Sequence, residues 1–382
     1  MNSRSSLIDH SPKPDLIMTK LHDLYNEGQS IWLDFISRDI LESSELDELI
    51  SQGIRGVTSN PSIFDNAISG SDTYDPELTQ LAAEGTDAFA IYDALSQADI
   101  VAAADRLLPL YKASNGGDGY VSLEVSPDLA YDTAGTVLEA HRLWQAIDRP
   151  NLMVKVPATA EGIPAITQLI ASGINVNATL MFSLDDYDAV TGAYIDGLEQ
   201  LVETGGDPSR VASVASFFVS RIDGVVDKQL DEQGNVRLQG KIAIANAKLA
   251  YQRFEEIFSG PRWDALAANG AQYQRPLWAS TSTKDPSYLD VLYVDSLIGK
   301  HTVNTLPLPT IGAVLDHTIV ASTVDQDYGQ AQAEIDALPA LGIDFKQVTD
   351  DLQTAGVKSF ADAFHSLLGT ISERAATLQP AS

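Results

Sequence analysis

Short apolar runs rich in β-branched residues recur along this chain, separated by longer stretches in which apolar residues return every three or four positions. A strand covered on both faces reads as a continuous apolar run, whereas a helix packed on one side carries a 3.6-residue period. Strands are expected at IWLDFI (31–36), GVTSN (56–60), YVSLEV (120–125), LMVKVP (152–157), NVNATLMF (175–182), VASVASFF (211–218), PLWAST (276–281) and TVNTL (302–306). Helices are expected at 44–52, 87–114, 133–147, 162–172 and 183–203, the last with Leu184, Tyr187, Val190 and Tyr194 on one stripe.

Eight strands alternating with helices predict an α/β fold, a single (β/α)8 barrel. An open doubly wound sheet is the alternative, and it carries a glycine-rich turn after an early strand. Here Gly116-Gly117-Asp118-Gly119 and Gly205-Gly206 precede strands, so they read as turns. No GxxxxGK[ST] loop occurs.

The chain has 382 residues, against about 250 for a bare barrel. Residues 1–15 read as a flexible leader and 16–382 as one barrel domain. Extra length is expected at 227–275, as a polar hairpin-like piece and then a helix from about Lys241 to Phe258, and in a helical C-terminal region at 325–382.

Acidic residues number 53 against 24 basic ones, a formal charge of -29. That balance argues against nucleic acid, whose binding depends on Lys and Arg displacing counterions, and against anionic membranes. No stretch reaches the ~20 apolar residues of a membrane span, and nothing resembles a signal peptide. The chain has no cysteine, which removes thiolate nucleophiles and thiolate metal sites. A cytoplasmic protein is expected, monomer or homodimer.

A barrel puts its chemistry at the C-terminal ends of its strands, so polar residues there carry the functional information. Lys155 sits in the middle of the apolar run LMVKVP. Burial without a counter-ion favours the neutral amine, the form that attacks a carbonyl. A salt-bridged or snorkelling lysine fits the same pattern. Asp34 and Glu124 repeat the oddity, each a carboxylate in an apolar strand. Asn177 and Thr179 share one strand face, as do Ser216 with Phe218 and Thr58 with Asn60.

These parts suit carbonyl chemistry that calls for neither metal nor cofactor. Lys155 would form an imine with a ketose, which then draws electrons from the adjacent C–C bond. Asp34 would take a hydroxyl proton during cleavage, and Glu124 would act through a water held by Thr179. Arg221, just past a strand end, and Lys284 are the candidate phosphate cations, with Ser280 and Ser282 as hydroxyl donors.

GVTSNPSIF (56–64), NLMVKVPATAEGIPAI (151–166), NVNATLMFS (175–183) and ASFFVSRID (215–223) resemble, in order, four blocks of the transaldolase family, the Schiff-base enzymes of the pentose phosphate pathway. The resemblance runs from about Gln29 to Pro309. It implies Lys155 as the imine lysine, Asp34 as the carboxylate for C–C cleavage, and Glu124 with Thr179 positioning the water. It implies Asn60 and Asn177 at substrate hydroxyls or the imine, and Ser216 and Arg221 at the substrate and its phosphate. The implied reaction moves a dihydroxyacetone unit from sedoheptulose 7-phosphate to glyceraldehyde 3-phosphate without a cofactor.

Short transaldolases carry a second phosphate arginine after the seventh strand, where this chain reads WASTSTKDP and offers Lys284. The length and the SFFVSRID wording resemble the longer bacterial and plant branch. Fructose 6-phosphate aldolases of the same family release the three-carbon unit; they are much shorter and carry Gln and Tyr where this chain has Glu124 and Phe218. Free-aldolase activity is thus the enzyme alternative, and an inactive barrel serving as a binding subunit the non-enzyme one.

Overall fold

The computed structural model describes residues 18–378, and the predicted leader at 1–15 lies outside them. Eight strands close into one parallel barrel in chain order: β1 (Gln29–Leu33), β2 (Gly56–Thr58), β3 (Tyr120–Glu124), β4 (Leu152–Pro157), β5 (Val176–Met181), β6 (Ser213–Phe218), β7 (Arg275–Ala279) and β8 (Thr302–Leu306). β8 returns to β1 in the register Gln29↔Thr302 to Leu33↔Leu306. Each strand is followed by at least one helix before the next begins, and every strand residue except Arg275 is buried. The expected (β/α)8 barrel is what forms; the open sheet does not.

The helical expectations hold with small shifts. The helix Leu184–Glu203 starts on a capping box, in which Ser183 accepts from the Asp186 N–H and Asp186 reaches back to the cap. Tyr187, Val190 and Tyr194 lie fully buried on its inner face, with Leu184 half-buried at its start. Gly119 has φ +86°, and a Cβ there would lie 2.4 Å from the Tyr111 nitrogen, so the turn before β3 requires glycine.

Two expectations need correction. Residues 227–232 are not part of a hairpin-like piece: they complete the helix Ser220–Glu232, whose buried stripe of Ile222, Val226 and Leu230 holds it on the barrel. Within DKQLDE (227–232) Leu230 is the one apolar residue, which is what made the segment read as a loop. The next helix, Ile242–Ile257, matches the expected one to within a residue at each end. The first strand also ends sooner than the apolar run suggests, so Asp34 stands one residue past β1 instead of inside it.

The barrel interior is filled from the bottom by large side chains. Trp32 is fully buried, and a Cβ on Gly56 would come within 2.5 Å of its ring. The smallest residue on β2 thus makes room for the largest on β1. Below Trp32, at the N-terminal mouth, the buried Asp118 accepts from Ser30 Oγ (2.8 Å), Trp32 Nε1 (3.3 Å), Arg55 Nε (2.8 Å) and Arg275 Nη2 (3.1 Å). Burial alone would raise its pKa, but Arg275 and Arg55 hold it below the usual carboxylate value.

A 34-residue helix, Phe345–Leu378, follows the barrel. It packs against the helices Pro61–Gly70 and Ala88–Ala113 and against β5. Val348, Gly356, Val357, Phe360, Phe364, Leu367 and Ile371 form its buried stripe at helical spacing.

Candidate active site

A cavity of about 160 Å³ opens at the C-terminal ends of the strands. Asp34, Thr58, Asn60, Lys155, Thr179, Ser216, Phe218, Arg221, Ser280 and Lys284 all line it. With Thr305 and Phe360, which also line it, residues from seven strands or strand ends and from the C-terminal helix converge on one space.

The register explains the convergence. Glu124 on β3, Lys155 on β4 and Asn177 on β5 are direct neighbours in adjacent parallel strands, so their side chains point the same way, into the barrel. Lys155 is 6% exposed, and its Nζ donates to the Ser59 carbonyl at 2.9 Å. Glu124 Oε2 lies 3.6 Å from Nζ, close enough for attraction between charges and too long for a hydrogen bond. Of the two sequence readings, an uncompensated amine and a paired one, the structure has the paired one. The partner is itself an inward residue of the barrel.

Both carboxylates are tuned by burial. Desolvation pushes Glu124 above its ordinary pKa, with the Lys155 charge opposing. Asp34 is raised in the same way, against the Thr58 hydroxyl and Lys155. Thr58 Oγ1 donates to Asp34 Oδ1 at 2.7 Å and lies 2.6 Å from Thr305 Oγ1. A hydroxyl has one proton, so Thr305 donates to Thr58 and the chain of donors ends on Asp34. A carboxylate made more basic by burial and steered by a hydroxyl is a better proton acceptor than a solvated one.

Among the candidate site residues two buried oxygens have no partner, Glu124 Oε2 and Thr179 Oγ1. They belong to strands on either side of the one carrying Lys155. Buried polar atoms without partners are costly, and a water bridging them would remove that cost.

Asn60 departs from its expected place. β2 stops at Thr58, and Asn60 caps the helix Pro61–Gly70, its Oδ1 accepting from the Ile63 N–H at 3.0 Å, while still facing the cavity. Asn177 is fully buried one layer below, donating to Ser122 Oγ (3.0 Å) and accepting from Ser216 Oγ (2.7 Å), so that it holds Ser216 in place. Phe218 packs against Phe182, with ring centroids 5.1 Å apart.

Arg221 is the cation the geometry singles out. Among the described arginines it and Arg237 alone lack a carboxylate within 4.0 Å, and Arg237 is exposed. The Arg221 guanidinium stands 5.1 Å from the Phe218 ring centroid, facing the cavity, and desolvation lowers its pKa. A half-buried guanidinium left free in a chain with 53 acidic residues is placed for an incoming anion. Lys284 lies exposed at the rim. Ser280, with φ +54°, shares a 3.0 Å hydroxyl contact with Ser220, and Ser282 one of 2.9 Å with Thr310.

Sequence reasoning missed three contributors. Thr305 alternates with the outward Asn304 in TVNTL, so the two-residue rule could have found it. The Ser59 carbonyl is main chain and leaves no residue signal. Phe360 comes from the C-terminal helix, its ring centroid 5.8 Å from Lys155 Nζ. Its sequence context is that of any buried helix position.

Comparison with known proteins agrees with this geometry. The profile of the Transaldolase/Fructose-6-phosphate aldolase family matches residues 31–371. The chain is 50% identical over 359 residues to a transaldolase of Frankia alni, covering 93% of this chain and 97% of the other. It is 50% identical over 355 residues to one of Acidothermus cellulolyticus (92% and 95%) and 46% identical over 380 residues to a transaldolase 2 of a Nostoc species (96% and 100%). Barrel, buried lysine and relatives of nearly equal length converge: this chain belongs to the transaldolase/fructose-6-phosphate aldolase family.

Proposed function

We propose that the chain is a transaldolase that carries a dihydroxyacetone unit on Lys155 from sedoheptulose 7-phosphate to glyceraldehyde 3-phosphate, giving erythrose 4-phosphate and fructose 6-phosphate. The observation that carries this is the buried amine of Lys155, 3.6 Å from Glu124, in a cavity that also contains Asp34 and the unpaired Arg221.

The Lys155 amine adds to the ketose carbonyl, and Glu124, through water at Thr179, moves the protons that expel hydroxide as water. The resulting iminium draws the electron pair of the neighbouring C–C bond as Asp34 takes the proton of the hydroxyl one carbon further on. The aldehyde leaves, a second aldehyde enters, and the same steps run in reverse. Arg221 binds the phosphate, with Lys284 and Ser280 at the rim; Thr58 aims Asp34; Asn60 and Ser216 meet substrate hydroxyls, and Asn177 supports Ser216. Glu124 and Phe218, where the aldolase branch carries Gln and Tyr, favour transfer over release.

No described helix is long and apolar enough to cross a membrane, and we place the reaction in the cytoplasm. We take the working unit to be a monomer or a homodimer.

Borohydride added with fructose 6-phosphate should fix an adduct on Lys155; an adduct elsewhere, or none, would refute the mechanism. Arg221→Ala should raise KM for phosphorylated substrates by roughly 10- to 100-fold, the worth of a charge-assisted hydrogen bond, and well beyond the effect of Lys284→Ala. Equal small effects would move the phosphate elsewhere.

A further inference from the structure

The helix Phe345–Leu378 reaches both working ends of the cavity. Phe360 is 6% exposed and is the residue of this helix that lines the cavity, its ring 5.8 Å from Lys155 Nζ. One turn earlier, a Cβ on Gly356 would stand 3.0 Å from Leu180 and 3.8 Å from Arg221 Nη1. The helix backbone therefore lies against the free guanidinium while its phenyl ring lies against the amine.

Its position is fixed along its length. Gln353 donates to the carbonyls of Ala158 (3.0 Å) and Leu180 (3.3 Å), at the top of β4 and in β5. Leu180 has φ +62° where the β5–β6 register shifts, a bulge that turns its carbonyl and side chain toward the helix. At the far end Arg374 holds Asp75 (2.6 Å), the Ser71 carbonyl (2.8 Å) and the Ile68 carbonyl.

We infer that Phe360 is a specificity-determining residue, an apolar roof that keeps bulk water from the lysine-bound three-carbon unit and so commits it to transfer. The inference rests on the Schiff-base reading of Lys155. After the first C–C bond breaks, the bound unit is an enamine. Release requires a solvent proton to add to its carbon; water then adds to the C=N carbon, and the C–N bond breaks. The net change is enamine plus water giving dihydroxyacetone and the free amine. Water for the C=N step is already supplied from the Glu124 side, so access of a proton source to the carbon decides between release and transfer. A phenyl ring over the site offers no such proton and excludes solvent that could.

The test compares wild type with Phe360→Leu, Phe360→Val and Phe360→Ala, given fructose 6-phosphate with and without an aldehyde acceptor. The readout is the ratio of free dihydroxyacetone to transferred product. Phe360→Ala should raise that ratio at least about tenfold, the scale on which one apolar wall discriminates. Phe360→Leu, which keeps most of the cover, should change it less than about threefold, and Phe360→Val should fall between. An unchanged ratio with both rates falling together would overturn the roof and leave Phe360 a packing residue, and Leu matching Ala would overturn it too. Should the Ala variant not fold, the Leu and Val variants still decide. Borohydride trapping of the wild type reports separately on Lys155: no adduct there means the underlying reading has failed, whereas an adduct with an unmoved ratio means the roof alone has.

Discussion

The two ends of the barrel bury similar charged groups and treat them oppositely. At the N-terminal mouth Asp118 is met by two guanidiniums, a hydroxyl and an indole, and its pKa is lowered in spite of burial. At the C-terminal mouth Glu124 and Asp34 are raised, and Glu124 Oε2 and Thr179 Oγ1 have no hydrogen-bond partner. Neutral amide oxygens lack partners at the lower end too, at Gln29, Asn151 and Gln274, but its buried carboxylate is fully met, whereas those of the upper end are left more basic. A (β/α)8 barrel separates stability from chemistry along its axis, and here the separation is visible in how well each buried charge is satisfied.

Lys155→Met should sharpen that contrast most, lowering kcat by ~10⁴-fold or more, as loss of a covalent nucleophile does, while circular dichroism and the unfolding midpoint barely move. Asp118→Ala should do the reverse. Two half-buried guanidiniums lose their carboxylate, costing about 3–5 kcal/mol in denaturant unfolding, with turnover per folded molecule unchanged. Swapped outcomes, stability lost at the top or turnover lost at the bottom, would end the comparison.

Asp34→Asn should cost about 10²- to 10⁴-fold in kcat and yet stabilise the fold at neutral pH, because an ionised, desolvated carboxylate opposes folding. For a group whose pKa is raised by folding, the favourable contribution is complete below the unfolded pKa and declines as pH rises through the folded one. Asp118 has the opposite sign: its contribution is present above the unfolded pKa and is lost as pH falls through the folded one. The stability gained with Asn at position 34 should therefore fade on acidification. An Asn at position 118 should be harmful at neutral pH and innocuous only well into acid.

The smallest effect concerns activity itself. On the proposed mechanism Asp34 and Glu124 accept protons and must be ionised to do so, and the acid limb of kcat/KM should then fall above the ordinary carboxylate range near pH 4. A limb at or below it would mean that both sites are wetter than their burial indicates.

Much of the upper mouth was legible because strand geometry writes itself into sequence. A charged residue inside an apolar run announces an inward position, and that is how Lys155 and Glu124 stand out. The two-residue period gave Thr179, Ser216 and Phe218, all at the cavity. The period fails where a strand stops: Asn60 passed for a strand residue because nothing in TSNPS separates a strand end from a helix cap except Pro61. The lower mouth was illegible for a related reason. Asp118, Arg55 and Arg275 lie at strand starts among turn residues, where a charge is ordinary, and only closure of the barrel brings them together.

The hydroxyl pair Thr58–Thr305 joins residues 247 positions apart, and β1 pairs with β8, the two strands of the barrel furthest apart in sequence. Contacts of such separation form late, because a long loop must close before they return anything. Helices, whose contacts are local, should form early, and the Thr58–Thr305 donor pair beside Asp34 should be among the last contacts made. During renaturation, recovery of turnover should trail recovery of helical ellipticity, so that the enzyme's own reaction becomes a clock for the closing of its barrel.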